Sequence, residues 1–216
     1  MLRYFIHPLR LPVIILLAIF RVLSAYGQNA PGCSSCDDMC PPVAIKTNLL
    51  YDAAITPDLG VELSLSRRIS VGIEGVCAWW SNSRTHRYWR IRGGWIDASW
   101  WFGSTPLRQR MTGHHAGIYA SIHDYDFEFG HKGWQSRRPT LGAGLTYGYS
   151  FRLNGRLSLD LYVRAGYAGG RVTEYVPQCG TYMCVRHFDS HYVGLTGIGV
   201  CLVWFPGRGA SNSPAR

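Results

Sequence analysis

The chain has 216 residues, enough for one domain or at most two. Charged residues make up 16%, aromatic residues 13%, and there are 25 Gly, a composition typical of a β-rich protein with a large apolar exterior. The formal net charge of +9 admits nucleic acid as a partner. However, the Arg residues are scattered over predicted turns and strand interiors, so we expect no nucleic-acid binding.

The N-terminus has the pattern of a secretory signal peptide. Residues 1–10 are basic, residues 11–20 are apolar, and Ala25 and Gly27 place small side chains at the −3 and −1 positions of a cleavage site. This predicts removal of residues 1–27, which would lower the net charge from +9 to +6 because the segment holds three Arg and no acid. An uncleaved anchor is the alternative, but the apolar run is too short to span a bilayer.

Export to an oxidising compartment would allow the seven Cys to form disulfides. Cys179 and Cys184 flank a short segment and are predicted to pair with each other. Cys77 and Cys201 fall within strand patterns, as buried or lipid-facing thiols.

A Cys-rich leader occupies residues 28–42 and carries Cys33, Cys36 and Cys40. With the neighbouring acids these thiols could hold zinc, but a second ligand pair at zinc-finger spacing is missing. We therefore expect disulfides there, within the leader or to another chain, and no metal site or cofactor.

The rest of the chain alternates between apolar and polar residues in eight stretches, the mark of strands with one apolar face. The predicted strands are residues 43–51, 59–65, 69–80, 88–102, 114–124, 141–152, 157–167 and 191–205. A β-bulge near Gly93-Gly94 would explain a change of apolar phase in the fourth strand. Residues 124–139 and 168–190 are predicted loops, and residues 206–216 a disordered tail.

The clearest pattern is the predicted hairpin over residues 141–167, with Asn154-Gly155 at its turn. Each arm has about ten residues or more, the length that a tilted strand needs to cross a bilayer. The polar face carries Arg and Asp, which suits the inside of a small membrane barrel. We therefore predict an all-β fold, an eight-stranded antiparallel up-and-down transmembrane β-barrel over residues 43–205.

Loop lengths and Trp positions favour the outer membrane. Connections after the first, third, fifth and seventh strands are longer, as are the external loops of such barrels. Several Trp lie at strand ends, where an aromatic girdle belongs, although ordinary core packing is the alternative. The predicted girdle consists of Trp79, Trp80, Trp89, Trp100 and Trp101.

A barrel of eight strands has an interior just wide enough for its own side chains. Charged residues on the polar faces must pair there, because an unpaired buried charge is costly. We interpret them as a structural polar plug of the lumen and not as a transport path. This plug comprises Lys46, Glu62, Glu74, Arg90, Arg92, Arg152, Asp160 and Arg164.

Residues 46–52, Lys-Thr-Asn-Leu-Leu-Tyr-Asp, followed by residues 59–63, resemble the opening of a family of small uncharacterised outer-membrane proteins from Bacteroidales-type bacteria. Residues 142–149 and the C-terminal Gly-Ile-Gly strand are similar too, so the resemblance covers most of residues 43–205. Members are often encoded near fimbrial genes, which implies a role in cell-surface assembly. The family has no established catalytic residues, and the Cys-rich leader departs from its pattern.

An enzyme is the less favoured hypothesis. Ser121 and His123 share a strand face, and Ser190 and His191 are adjacent, as a lipid A-modifying barrel would require. Neither pair has an acid to orient the His, so the catalytic arrangement is incomplete.

We therefore expect a non-enzymatic outer-membrane barrel that serves as a cell-surface anchor or assembly factor. Its expected partners are outer-membrane lipid and surface or fimbrial proteins. The loop over residues 124–139 mixes aromatic and charged residues suited to protein or glycan contact, unless it is simply solvated. The alternative to a membrane barrel is a soluble lipocalin-like periplasmic barrel with a small apolar ligand, whose polar strand faces would point outward.

Overall fold

The computed structural model describes residues 43–82, 87–102, 111–154, 156–178 and 181–206. These residues form an all-β fold with one short helix. The elements are β1 Val43–Asn48, α1 Leu49–Ala53, β2 Asp58–Ser64, β3 Ile69–Asn82, β4 Arg87–Phe102, β5 Gly113–Phe129, β6 Gly133–Ser136, β7 Thr140–Arg152, β8 Leu157–Gln178 and β9 Thr181–Trp204. The predicted signal peptide, leader and C-terminal tail (bar residue 206) lie outside the described residues.

All strand pairs are antiparallel, and the pairing returns to its starting point. β1 pairs with β2, β2 with β3, β3 with β4, and β4 with β5. β5 continues to β7, β7 to β8 and β8 to β9, and β9 pairs with β1 over Cys201–Trp204. The described strands therefore form a sheet that closes into a ring.

The described strands number nine, so the predicted count of eight is wrong. The additional strand is β6, four residues that pair with β5 on one side and β8 on the other. β6 lies in the segment predicted as a loop over residues 124–139, and β5 also extends to Phe129. Its brevity hides it from pattern analysis, because four residues contain only two periods of alternation.

The predicted loop over residues 168–190 is also wrong. β8 continues to Gln178 and β9 begins at Thr181, so these two strands form a hairpin of 22 and 24 residues. Polar side chains occupy both faces of this extension, and Gly169-Gly170 interrupts it, so the sequence lacks a period-two apolar signal there. Without an apolar face, sequence alone favoured a loop.

The first and fourth strands differ from prediction for local reasons. β1 ends at Asn48 instead of residue 51, because the Asn48 side chain accepts a hydrogen bond from Leu50 N (3.1 Å) and caps α1. The register of β4 with β3 runs through Gly93 and Gly94 without a shift, so the predicted bulge is absent there. Register shifts in the β8–β9 pair fall between Arg164 and Ala165 and between Glu174 and Tyr175.

Burial alternates with the strand period, and the buried face is largely polar. In β7, Leu145 is 65% exposed while the next residue, Thr146, is 6% exposed. β8 repeats the pattern, with Leu161 and Val163 exposed and Asp160 and Arg164 buried. Ion pairs between strands that are not neighbours place the buried face inside the ring. α1 has five residues, and the described part of the chain contains no helix long and apolar enough to cross a membrane.

Candidate functional site: the polar interior and its cap

Lys46 is at the centre of the first group of charges inside the ring. Its ammonium lies 3.5 Å from Glu62 and 3.8 Å from Asp97, and all three side chains are buried. Ser70 Oγ donates a hydrogen bond of 2.5 Å to Glu62, and Trp101 Nε1 donates one of 2.7 Å to Ser70 Oγ. The β1 lysine is thus tied to β2, β3 and β4 through polar contacts alone.

Arg164 is at the centre of the second group. Its guanidinium lies 3.3 Å from Glu74 and 3.8 Å from Asp97, so the two groups share the Asp97 carboxylate. Three aromatic rings surround it, with the guanidinium carbon 4.5 to 5.6 Å from their centroids: Tyr162, Trp95 and Tyr119. Ring faces favour a nearby cation, and here they replace water as its environment.

His115 and Asp160 form a third pair, with His115 Nε2 2.9 Å from Asp160 Oδ1 and the ring of Trp101 4.5 Å from the imidazole. His115 Nδ1 has no hydrogen-bond partner among the described residues. A catalytic His needs an acid on one nitrogen and a nucleophile or substrate on the other. The pair therefore links strands β5 and β8, and no described residue completes a catalytic arrangement at His115 Nδ1.

These groups leave almost no free space between them. The interior void has a volume of about 10 Å³. It is lined by Lys46, Glu62, Asp97, Ser99, His115, Thr146, Asp160, Tyr162 and Arg164. A void of that size holds about one water molecule and no larger ligand. The interior at this level can stabilise the ring, but it offers no room for a substrate.

The segment 46–52 joins this interior to α1. Asn48 Oδ1 accepts from Val200 N at 3.2 Å, and Asn48 Nδ2 donates to Ile198 O at 3.4 Å, so its side chain prolongs the β1–β9 pairing by one step. Tyr51, on α1, stacks on Trp95 at 6.0 Å between ring centroids. The helix thereby covers one end of the polar interior.

Another cluster lies where β4 and β9 begin and where β5 and β8 end. Tyr175 donates a hydrogen bond of 2.6 Å to Asp126, which is 3.5 Å from Arg90, and the hydroxyls of Tyr88 and Tyr182 are 2.8 Å apart. Burial and the bond to Asp126 raise the pKa of Tyr175. The hydrogen bond with Tyr88, followed by burial, raises the pKa of Tyr182 to about 12. Both phenols therefore keep their protons at neutral pH.

A groove of about 670 Å³ opens beside this cluster. Its lining mixes aromatic rings with polar and charged groups: Trp80, Ser81, Asn82, Arg87, Tyr88, Trp89, Glu128, Phe129 and Gly130. Aromatic and amphipathic linings of this kind suit contact with proteins or sugars.

The charged residues predicted for the lumen occupy different positions. Those buried inside the ring are Lys46, Glu62, Glu74, Asp160 and Arg164. Arg90 is partly exposed at the end of β4. Arg152 is partly buried beside the β7–β8 turn and donates to Asn154 O at 2.9 Å. Arg92 instead has a side chain 61% exposed and pairs with Asp124 at 2.7 Å, because uninterrupted alternation puts it on the opposite face from Trp95.

Four of the predicted girdle residues have exposed side chains: Trp79, Trp80, Trp89 and Trp100. Trp101 instead is 4% exposed and packs inside the ring. Adjacent residues of a strand point to opposite faces, so Trp100 and Trp101 cannot both face outward. Trp79 and Trp80 also point to opposite faces, and Trp80 is exposed at the end of β3, where it lines a groove.

The cysteines show no disulfide within the described residues, where Cys77, Cys184 and Cys201 carry free thiols. Cys179, the predicted partner of Cys184, lies outside the described residues, as do the three leader cysteines. In the same part of the chain, no group of three or more His, Cys, Asp or Glu is arranged to hold a metal ion.

Sequence reasoning missed Asp97 and His115, two members of the interior network. Asp97 lies between Ile96 and Ala98 on the polar side of β4, a signal that the alternation did contain. The roles of Asn48 and Tyr51 depended on α1, which was predicted as strand.

Comparison with known proteins gives the family. The family described as "Protein of unknown function (DUF3575)" has a model that matches residues 13–205, and the chain belongs to this family. The prediction of an uncharacterised family is thereby confirmed. A search of curated proteins returned no match.

Proposed function

We propose that this member of the DUF3575 family is a non-enzymatic outer-membrane β-barrel that acts as an anchor or assembly factor at the cell surface. The observation that carries the proposal is a distribution of side chains opposite to that of a soluble protein, with charges inside and apolar side chains outside. Ion pairs fill the inside of the ring, while large apolar side chains such as Ile118, Leu145 and Val193 stand exposed outside it. Exposed apolar area on this scale is rare in monomeric soluble proteins and typical of surfaces that meet lipid.

Strand lengths support a bilayer crossing. β7 has 13 residues, and a transmembrane strand needs about 9–11. β1 and β2 are shorter, with 6 and 7 residues, and the segment between them, α1 and its loop, carries exposed Leu49, Leu50 and Ile55. Of the exposed Trp side chains, Trp79 and Trp100 would lie at the membrane–water interfaces, whereas Trp80 and Trp89 line the groove.

The filled interior weighs against the two other readings of a small barrel. A lipocalin-like carrier needs an apolar cavity for its ligand, typically about 300 Å³ or more. A diffusion pore needs a continuous aqueous path. The void of about 10 Å³ among the interior charges fits neither requirement.

A role at the cell surface follows from the part of the ring that extends beyond the membrane. In the proposed orientation the far ends of β4, β5, β8 and β9, with the aromatic groove of about 670 Å³, project outward. Contact with surface or fimbrial proteins would use this end. The resemblance of residues 46–52 to proteins encoded near fimbrial genes points to the same class of partner.

Two measurements test this proposal in turn. Membrane fractionation and electrophoresis with and without heating should place the protein in the outer membrane and show a heat-dependent shift of mobility. Recovery in the soluble periplasmic fraction, without such a shift, would contradict the membrane assignment. A deletion strain should then carry fewer assembled fimbriae on its surface, and unchanged fimbriae would refute the assembly role while leaving the barrel intact.

A further inference from the structure

Arginine side chains gather at one level of the sheet, just beyond the exposed apolar surface. Arg92 on β4 is paired in register with Asp124 on β5, and Arg171 on β8 with Asp189 on β9. Arg137 N donates to Arg171 O at 2.8 Å, so the segment after β6 belongs to the same level. We call Arg92, Arg137, Arg138 and Arg171 the arginine row.

The charge of the row is only partly compensated. Arg92 lies 2.7 Å from Asp124 and Arg171 lies 3.1 Å from Asp189, and both pairs are largely exposed. Arg137 and Arg138 are exposed and form no ion pair with any described residue. The row therefore carries an excess of two positive charges that point into solvent.

The level of the row relative to the apolar surface is the informative feature. Ile122 and Leu141 are paired in register and exposed, and Arg138 precedes Leu141 by three residues. Arg92 and Arg171 lie two residues beyond Gly94 and Gly169, the strand partners of Ile122 and Leu141. At about 3.3 Å per residue, these arginines stand roughly 7 Å beyond the two apolar side chains. The headgroup layer of a bilayer is about 5–7 Å thick on each side of the hydrocarbon, so an Arg side chain could reach its phosphates.

We propose that the arginine row binds the phosphorylated headgroup of a bilayer lipid whose acyl chains lie against Ile122 and Leu141. The inference deepens the proposed function and rests on it. Guanidinium groups bind phosphate through paired N–H donors, and Arg137 and Arg138 have those donors free of carboxylates. A soluble phosphate or an acidic protein would have no need of the adjoining apolar surface, whereas a lipid uses both.

The test is native mass spectrometry of the full-length, detergent-solubilised protein, with lipid A as the phosphorylated probe and dephosphorylated lipid A as its matched control. The double variant Arg137→Gln/Arg138→Gln should retain lipid A about thirtyfold more weakly, since each surface Arg contributes about 1 kcal/mol towards an anionic lipid. The matched control, Arg67→Gln/Arg68→Gln in the β2–β3 turn at the opposite end of the strands, should retain it like the wild type.

Without a competitor, three results would overturn the inference. In the first, the Arg137/Arg138 variant retains lipid A as well as the wild type does. In the second, the Arg67/Arg68 variant loses as much lipid A as the Arg137/Arg138 variant. In the third, the wild type retains phosphorylated and dephosphorylated lipid A equally. Competition by inorganic phosphate at concentrations similar to lipid A would assign the row to free phosphate and refute the lipid. If the protein stays out of the membrane, the proposed function itself is refuted. If the protein inserts but retains lipid A independently of Arg137 and Arg138, only this inference is refuted.

Discussion

Arg164→Met is the sharpest perturbation of the polar interior. The change leaves an unbranched apolar side chain but removes the guanidinium group that Glu74 and Asp97 face at 3.3 and 3.8 Å. Asp97 would retain Lys46, whereas Glu74 has no second ion pair among the described residues. Removing one partner of a buried pair costs about 3–5 kcal/mol, because the other charge stays buried and unpaired.

The assay is urea unfolding of the protein refolded in a non-ionic detergent without phospholipid, so that lipid headgroups do not contribute, and unfolding is followed by Trp fluorescence. Arg171→Met is the matched control, because Arg171 and Asp189 lie 3.1 Å apart with side chains 58% and 60% exposed. Exposed pairs contribute about 0–1 kcal/mol, so the control should hardly change the free energy of unfolding. The double variant Arg164→Met/Glu74→Gln should recover part of the loss, since it removes both charges. Equal effects at Arg164 and Arg171, or no recovery in the double variant, would refute the reasoning.

Three further substitutions test other contacts by the same unfolding assay. Asn48→Ala should cost about 1–3 kcal/mol by removing the cap of α1 and the bonds to β9, whereas a loss below about 0.5 kcal/mol would contradict that role. Tyr162→Phe should be neutral within about 1 kcal/mol, because the buried Tyr162 hydroxyl has no partner among the described atoms; a loss of about 3 kcal/mol would reveal one. Gly144→Ala should destabilise by about 1–3 kcal/mol, because its Cβ would lie 2.3 Å from Ala165 O, and an unchanged midpoint would show that β7 and β8 separate freely there.

The sequence predicted the central hairpin well and its extension poorly. β7 spans Thr140–Arg152 and β8 begins at Leu157, in close agreement with the alternation of residues 141–167. That agreement has a physical cause, since one face is apolar and the other polar throughout. Beyond Gly169 neither face is apolar, so burial leaves no periodic signal, and only the pairing with β9 reveals the strand.

The interior was predictable wherever the strand phase was unambiguous. Glu62, Asp160 and Arg164 lie in clean alternations, and all three are buried inside the ring. A bulge at Gly93-Gly94 would turn Arg92 into the lumen, but the unbroken register of β4 puts it outside. The pairing partners across the ring, such as Lys46 with Asp97, depend on ring closure, which local sequence patterns do not specify.

The central claim is that the apolar face of the strands meets lipid, and spin labels on adjacent residues test it most directly. Spin labels are attached at Leu145→Cys and, separately, at Thr146→Cys, and each variant is compared in lipid vesicles with a parent that carries the same other cysteines. The spectra report how often each label collides with oxygen, which is enriched in the bilayer, and with a nickel complex, which stays in water. We predict that the label at residue 145 collides mainly with oxygen and that the label at residue 146 is immobilised and shielded from both. A label at residue 145 that collides mainly with the nickel complex would contradict the account.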